Sequence, residues 1–112
     1  MTSVSDTTDT SLTVDVEQFT ARGCGQGDQR TVHVAGELDL AGRSLMMRTC
    51  LEGVHRSVVV ELGELIFMDC AGYGSLVHVR NILEQLGGSL TLAHPTGEPA
   101  RLLELIDELA SQ

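Results

Sequence analysis

Asp69-Cys70-Ala71-Gly72 lies between a hydrophobic run, "SVVVEL", and a stretch of helical periodicity that starts near Gly72. A carboxylate and a thiol at the mouth of a helix are groups that can do chemistry. The unpaired N–H groups of a helix start carry partial positive charge and favour an anion. They also favour a thiolate, so Cys70 is a candidate nucleophile. The neighbouring carboxylate of Asp69 opposes a second negative charge there. The phosphatase pattern, a cysteine followed six residues later by arginine, fails because that place holds Leu76. Asp69 as a phosphoacceptor needs an acidic pair for magnesium and a lysine, and the chain contains no lysine. The plain alternatives are an inert cysteine and a tight strand-to-helix turn. Gly72 and Gly74 leave room for another backbone to come close.

No other group competes with this junction. His33, His55, His78 and His94 show no zinc-ligand spacing, and no phosphate-binding loop of the G-x-x-x-x-G-K type occurs. No metal and no cofactor is therefore expected. Gly23, Gly25 and Gly27 precede a strand rather than a helix, so they do not read as a nucleotide fingerprint. With 7 basic against 16 acidic residues the net charge is −9. That argues against nucleic acid or an anionic membrane as partner and permits a partner with a basic docking face. No run reaches the roughly 18 apolar residues of a membrane span, and "MTSVSDTTDT" is not a signal peptide. Three cysteines without paired spacing fit a reducing compartment, so the expected location is cytoplasmic.

The elements that position the junction follow from periodicity. Residues 1–10 read as a disordered tail and residues 11–112 as one domain. "SLTVDVEQF" (11–19) alternates and reads as a strand, "RGCGQGD" (22–28) as a hairpin loop, and "TVHVAG" (31–36) as a second, antiparallel strand. A helix follows with Asp39 as N-cap and Met47, Cys50, Leu51 and Val54 on its inner face. The continuous apolar run at 57–62 reads as a central strand buried on both faces. The next helix buries Leu76, Val79, Leu83 and Leu86, leaves Ser75, His78, Asn81 and Gln85 wetter, and stops at Gly87-Gly88. "SLTLAH" is a strand. The terminal helix takes Pro99 in its first turn and faces Leu102, Leu105, Ile106 and Leu109 inward. The order β-β-α-β-α-β-α predicts an α/β fold with a mostly parallel sheet opened by a hairpin and joined by crossover helices.

Three blocks in this order, "VAGELDLAG" (34–42), "VVVELGELIFMDCAGYGSLV" (58–77) and "GGSLTLAHPTGEPARLLELI" (87–106), resemble STAS domains, and more narrowly bacterial anti-sigma factor antagonists. The resemblance implies a STAS-like fold. In that family an Asp-Ser-Ser/Thr-Gly block opens the second helix. Its second hydroxyl residue is phosphorylated by the partner, an anti-sigma factor that is itself a serine kinase, and the phosphate ends binding. Asp69 and Gly72 match the ends of that block, Cys70 replaces the first hydroxyl, and Ala71 stands at the phosphoacceptor place without a hydroxyl. Ser75 lies about a turn further on and is not the equivalent residue. Asp39 matches the aspartate of "GELD", near the docking face.

The resemblance implies a non-enzymatic binding protein that docks a serine-kinase-type anti-sigma factor and so frees a sigma factor, with no phosphorylation switch at residue 71. The expected partner-binding residues are Asp39, Asp69, Cys70, Ala71, Gly72, Tyr73, Gly74 and Ser75. Two alternatives stand beside it: a short STAS subunit of an ABC-type lipid transport system, and a thiol-based redox switch or enzyme using Cys70.

Overall fold

The computed structural model describes residues 18–53 and 56–110. The expected tail, residues 11–17 of the strand expected at 11–19, and Val54 lie outside the described residues. The element order is β1 (Phe19–Gln26), β2 (Gln29–Leu38), a 3₁₀ turn (Leu40–Gly42), α1 (Arg43–Leu51), β3 (Ser57–Met68), α2 (Cys70–Gln85), β4 (Ser89–Ala93) and α3 (Gly97–Ala110). The four strands form one sheet in the order β1-β2-β3-β4. β1 and β2 pair antiparallel, whereas β2–β3 and β3–β4 pair parallel. This is the expected mostly parallel α/β sheet led by a hairpin.

The hairpin loop expected at 22–28 is shorter than expected. The segment 22–26, read as loop, is the second half of β1, with Arg22 opposite His33 and Cys24 opposite Thr31. Only Gly27 and Asp28 turn the chain. The glycines misled because Gly23 serves packing: a Cβ there would stand 2.0 Å from Nη2 of Arg30. Arg30 is buried, its Nε donating to the Thr49 carbonyl at 2.8 Å and its Nη2 meeting Glu52 at 3.0 Å. A cation thus closes the C-terminal turn of α1, where free carbonyls accumulate negative charge.

β3 is twelve residues long and continues to Met68, well past the expected end at 62. Val58, Val60 and Leu62 are buried beneath the helices, with Val32 and Val34 of β2 on the same face. Val59 is only half-buried, between register partners Thr31 and Thr91. The run is therefore covered fully on one face, not on both. Met46, Cys50, Leu76, Val79 and Leu83 supply the helix side of the core. Each such side chain contributes about 1.5–3 kcal/mol on burial.

Three helix faces are corrected. In α1 the buried residues are Met46, Thr49 and Cys50, while Met47 and Leu51 sit at the margin. The 3₁₀ turn between Asp39 and Arg43 rotates the face relative to a helix started at Asp39. In α2 the stripe ends at Leu83 and Leu86 is exposed. Leu86 is the C-cap residue: Gly88 N–H donates to Leu83 O at 2.7 Å and Gly87 N–H to Glu84 O at 3.1 Å, with Gly87 at φ +84°. These are the two bonds of a Schellman stop. In α3, Leu102, Leu103 and Ile106 turn inward, but Leu105 and Leu109 are exposed. A groove of about 690 Å³ separates α3 from α2 and β4, lined by Tyr73, Leu76, Leu90 and Leu103 among others.

Candidate functional site

β2 and β3 run parallel and end side by side, Leu38 opposite Met68. Each is followed by an aspartate whose side chain caps the next turn. The Asp39 carboxylate accepts the Ala41 N–H at 3.0 Å, and the Asp69 carboxylate accepts the Gly72 N–H at 2.8 Å. Both backbones are extended at the aspartate, the geometry an N-cap requires. α2 therefore begins at Cys70 rather than near Gly72. Its capping aspartate is the carboxylate that the sequence had offered as a chemical group.

The two caps are stitched together. Asp69 N–H donates to Leu38 O at 3.3 Å. Gly72 presses on the same strand end: a Cβ there would lie 2.3 Å from Leu38 O. Gly72 is buried, so the close backbone approach it permits is by this chain's own β2. That corrects the expectation that it makes room for a partner. Gly36, at φ +92°, has the same character, with the Gln18 carbonyl 2.1 Å from where a Cβ would be.

The expected site residues divide by burial. Cys70 and Gly74 are exposed, Asp39, Asp69, Ala71 and Tyr73 are half-buried, and Gly72 is buried. Ser75, expected to be wetter, is 0 % exposed, and its hydroxyl donates to the Gly72 carbonyl at 2.6 Å. A serine one turn into a helix can bond back to the preceding turn, which satisfies its hydroxyl under the core face. Tyr73 faces the groove beside α3. Sequence reasoning missed the exposed apolar residues at this end of the sheet, Leu40, Ile66 and Phe67. Their signal was present: in "LIFM" Leu65 and Met68 fill the core face, and the apolar Ile66 and Phe67 between them have no core position to occupy.

Of the cysteines, Cys24 and Cys70 are exposed and Cys50 is buried. Burial pushes the Cys50 thiol up to about 12, against a smaller opposing pull from the Arg30 guanidinium. It stays protonated at neutral pH, as its place on the core face implied. Among the described residues no cluster of histidine, cysteine or carboxylate side chains is arranged to hold a metal ion, and no helix is long and apolar enough to cross a membrane.

Solved structures share this architecture. The chain is similar to the anti-sigma factor antagonist SpoIIAA in its unphosphorylated form (TM-score 0.66, 18% identity, covering 79% of this chain and 81% of that one). It is similar to an anti-sigma factor antagonist from Mycobacterium paratuberculosis (0.67, 16%, covering 83% and 80%). It also resembles the STAS domain of an anti-sigma factor antagonist from Rhodobacter sphaeroides (0.58, 16%, covering 70% and 89%). No curated protein sequence matches. At these identities the likeness establishes the fold. The family model described as "Mlab, STAS domain" matches residues 24–107, three-quarters of the chain, and includes both aspartate caps. The chain is a member of the STAS domain family.

Proposed function

We propose that this STAS domain is an anti-sigma factor antagonist-like binding protein, which docks a serine-kinase-type anti-sigma factor at the paired ends of β2 and β3 and so frees a sigma factor. The observation that carries the reading is the junction itself. An aspartate-capped helix start is bonded to the strand end of "GELD", and it presents Cys70, Ala71 and Gly74 to a partner. Asp39, Asp69, Gly72 and Ser75 shape this knob from within, and Tyr73 flanks it. The likeness to anti-sigma factor antagonists supports the partner class. The reading has no catalytic step and places the protein in the cytoplasm, where such a partner works.

Ala71 has no hydroxyl, so the kinase has no acceptor between residues 69 and 72. The protein stays in its binding-competent form. Titration of the purified chain with serine-kinase-type anti-sigma factors from the same genome tests the reading: one should bind, and phosphate should not appear on the antagonist. Ala71→Ser should restore phosphorylation. Binding by none of them removes the proposal.

The missing hydroxyl favours one second reading. A subunit held permanently in a complex needs no release switch, so the same face would suit the STAS subunit of an ABC-type lipid transport system. Stable co-purification with an ABC ATPase, and none with a kinase, would select it.

A further inference from the structure

Arg43 opens α1, and its Nε is buried with no hydrogen-bond partner. The side chain as a whole is half-buried. The chain has 16 acidic residues, yet the ion pairs among the described residues engage Arg30 and His94 instead. Covering a guanidinium nitrogen without an acceptor removes hydration and returns nothing. The guanidinium lacks hydration at Nε, and an anion that reaches its remaining N–H groups gains more than it would at a fully hydrated arginine. Such a group is out of place in a structure whose buried Arg30 is well supplied.

Its position ties it to the junction. The Arg43 N–H donates to the Leu40 carbonyl within the 3₁₀ turn. Leu40 is 67% exposed, the most exposed of the large apolar residues among those described. The turn touches α2, whose capping Asp69 is bonded to Leu38. Arg43, with its covered and unpaired Nε, and the bare Leu40 thus lie three residues apart, on the segment that joins the knob to α1.

We infer that Arg43 is the specificity-determining residue of this face and receives an aspartate or glutamate carboxylate of the protein partner, while an apolar side chain of that partner covers Leu40. The planar fork of a guanidinium matches a carboxylate through two parallel bonds. The adjoining leucine calls for a ligand that brings apolar surface with its charge, as a protein segment does. A net charge of −9 repels a polyanion and tolerates one embedded carboxylate. The inference rests on the docking role proposed above and names the chemistry that selects the partner.

Two measurements test it. In the free protein, acetate serves as the carboxylate probe and the side-chain ¹⁵Nε–H signals of the arginines are followed. The Arg43 signal should shift severalfold more than those of the exposed Arg22, Arg48 and Arg101. An equal response at all four overturns the inference without touching the docking role. With an anti-sigma factor that binds the wild type, Arg43→Gln should weaken binding at least tenfold and Arg43→Lys should restore little. Arg43→Met should leave the melting temperature of the free protein unchanged or higher. Binding of Arg43→Gln within twofold of wild type, or a melting temperature of Arg43→Met lower by several degrees, shows that Arg43 serves the fold rather than the partner. Failure of the wild type to bind any such factor sinks the docking role instead, and the acetate response still decides the carboxylate site.

Discussion

Gly72 and Gly74 are two residues apart in α2 and serve opposite ends. Gly72 is pressed against the Leu38 carbonyl, whereas nothing lies within 4 Å of a Cβ built on Gly74. Gly72→Ala should destabilise the protein by about 2 kcal/mol or more, because the obstruction is backbone and cannot rotate away. Gly74→Ala should stabilise it by about 0.5–1 kcal/mol, the usual gain of alanine over glycine inside a helix. Urea unfolding of both variants reads this directly, and equal effects would contradict the packing at Leu38. At Ala71, half-buried on the knob, a glutamate should cost the fold no more than about 1 kcal/mol. It should abolish anti-sigma factor binding, since the carboxylate would meet a close interface without a counter-charge. Unchanged affinity in a calorimetric titration would put the interface elsewhere. Asp69 was legible as a polar residue at a helix start, but its capping role was not assigned to it. Ser75 could not be placed from periodicity, because its hydroxyl is satisfied by its own helix.

α2 and α1 each carry a feature that can be removed singly. α2 stops at Gly87, whose φ of +84° is costly for any residue with a Cβ. Gly87→Ala should therefore lower stability by about 1–2 kcal/mol although space is open around it. A neutral effect would mean that the Schellman bonds do not hold α2 in solution. α1 buries Cys50, whose thiol is raised from 9.0 to about 12 by desolvation. Above pH 9 the unfolded chain ionises this thiol and the folded chain does not. Stability should fall as pH rises from 9 toward about 12, by about 1.4 kcal/mol per unit for this one group. Comparison with Cys50→Val isolates it: the difference between the two proteins should be flat below pH 9 and should tilt against the wild type above. A flat difference at all pH values would mean that Cys50 ionises in place. Native thiol labelling should then mark the exposed Cys24 and Cys70 and spare Cys50. The elements were legible from periodicity, but their edges were not. Gly23 looked like a loop residue because Arg30, seven positions on, was not visible as its neighbour.

At the scale of the whole molecule the charge of −9 acts on folding as well as on partners. Self-repulsion is screened by salt, so the melting temperature should rise between about 0.01 M and about 0.15 M sodium chloride. A fall would show that the Arg30–Glu52 and His94–Glu61 pairs outweigh the net repulsion. The order of strands and helices, the parallel crossovers and the place of the junction were all determined by the sequence. They depend on hydrophobic period and on glycine and aspartate at chain reversals, which are local properties. The "GELD" and "DCAG" blocks likewise carried the family, and Ala71 carried the loss of the phosphoacceptor. Only the tertiary structure decided which side of each residue is used. It turned Gly72 and Ser75 inward, left Leu40, Ile66 and Phe67 outside, left one sheet face half-covered at Val59, and left the Nε of Arg43 covered and unpaired. Those outcomes are set by segments brought together from distant parts of the chain, β2 against β3 and the 3₁₀ turn against α2. Burial is a property of such meetings and not of the residue that undergoes it.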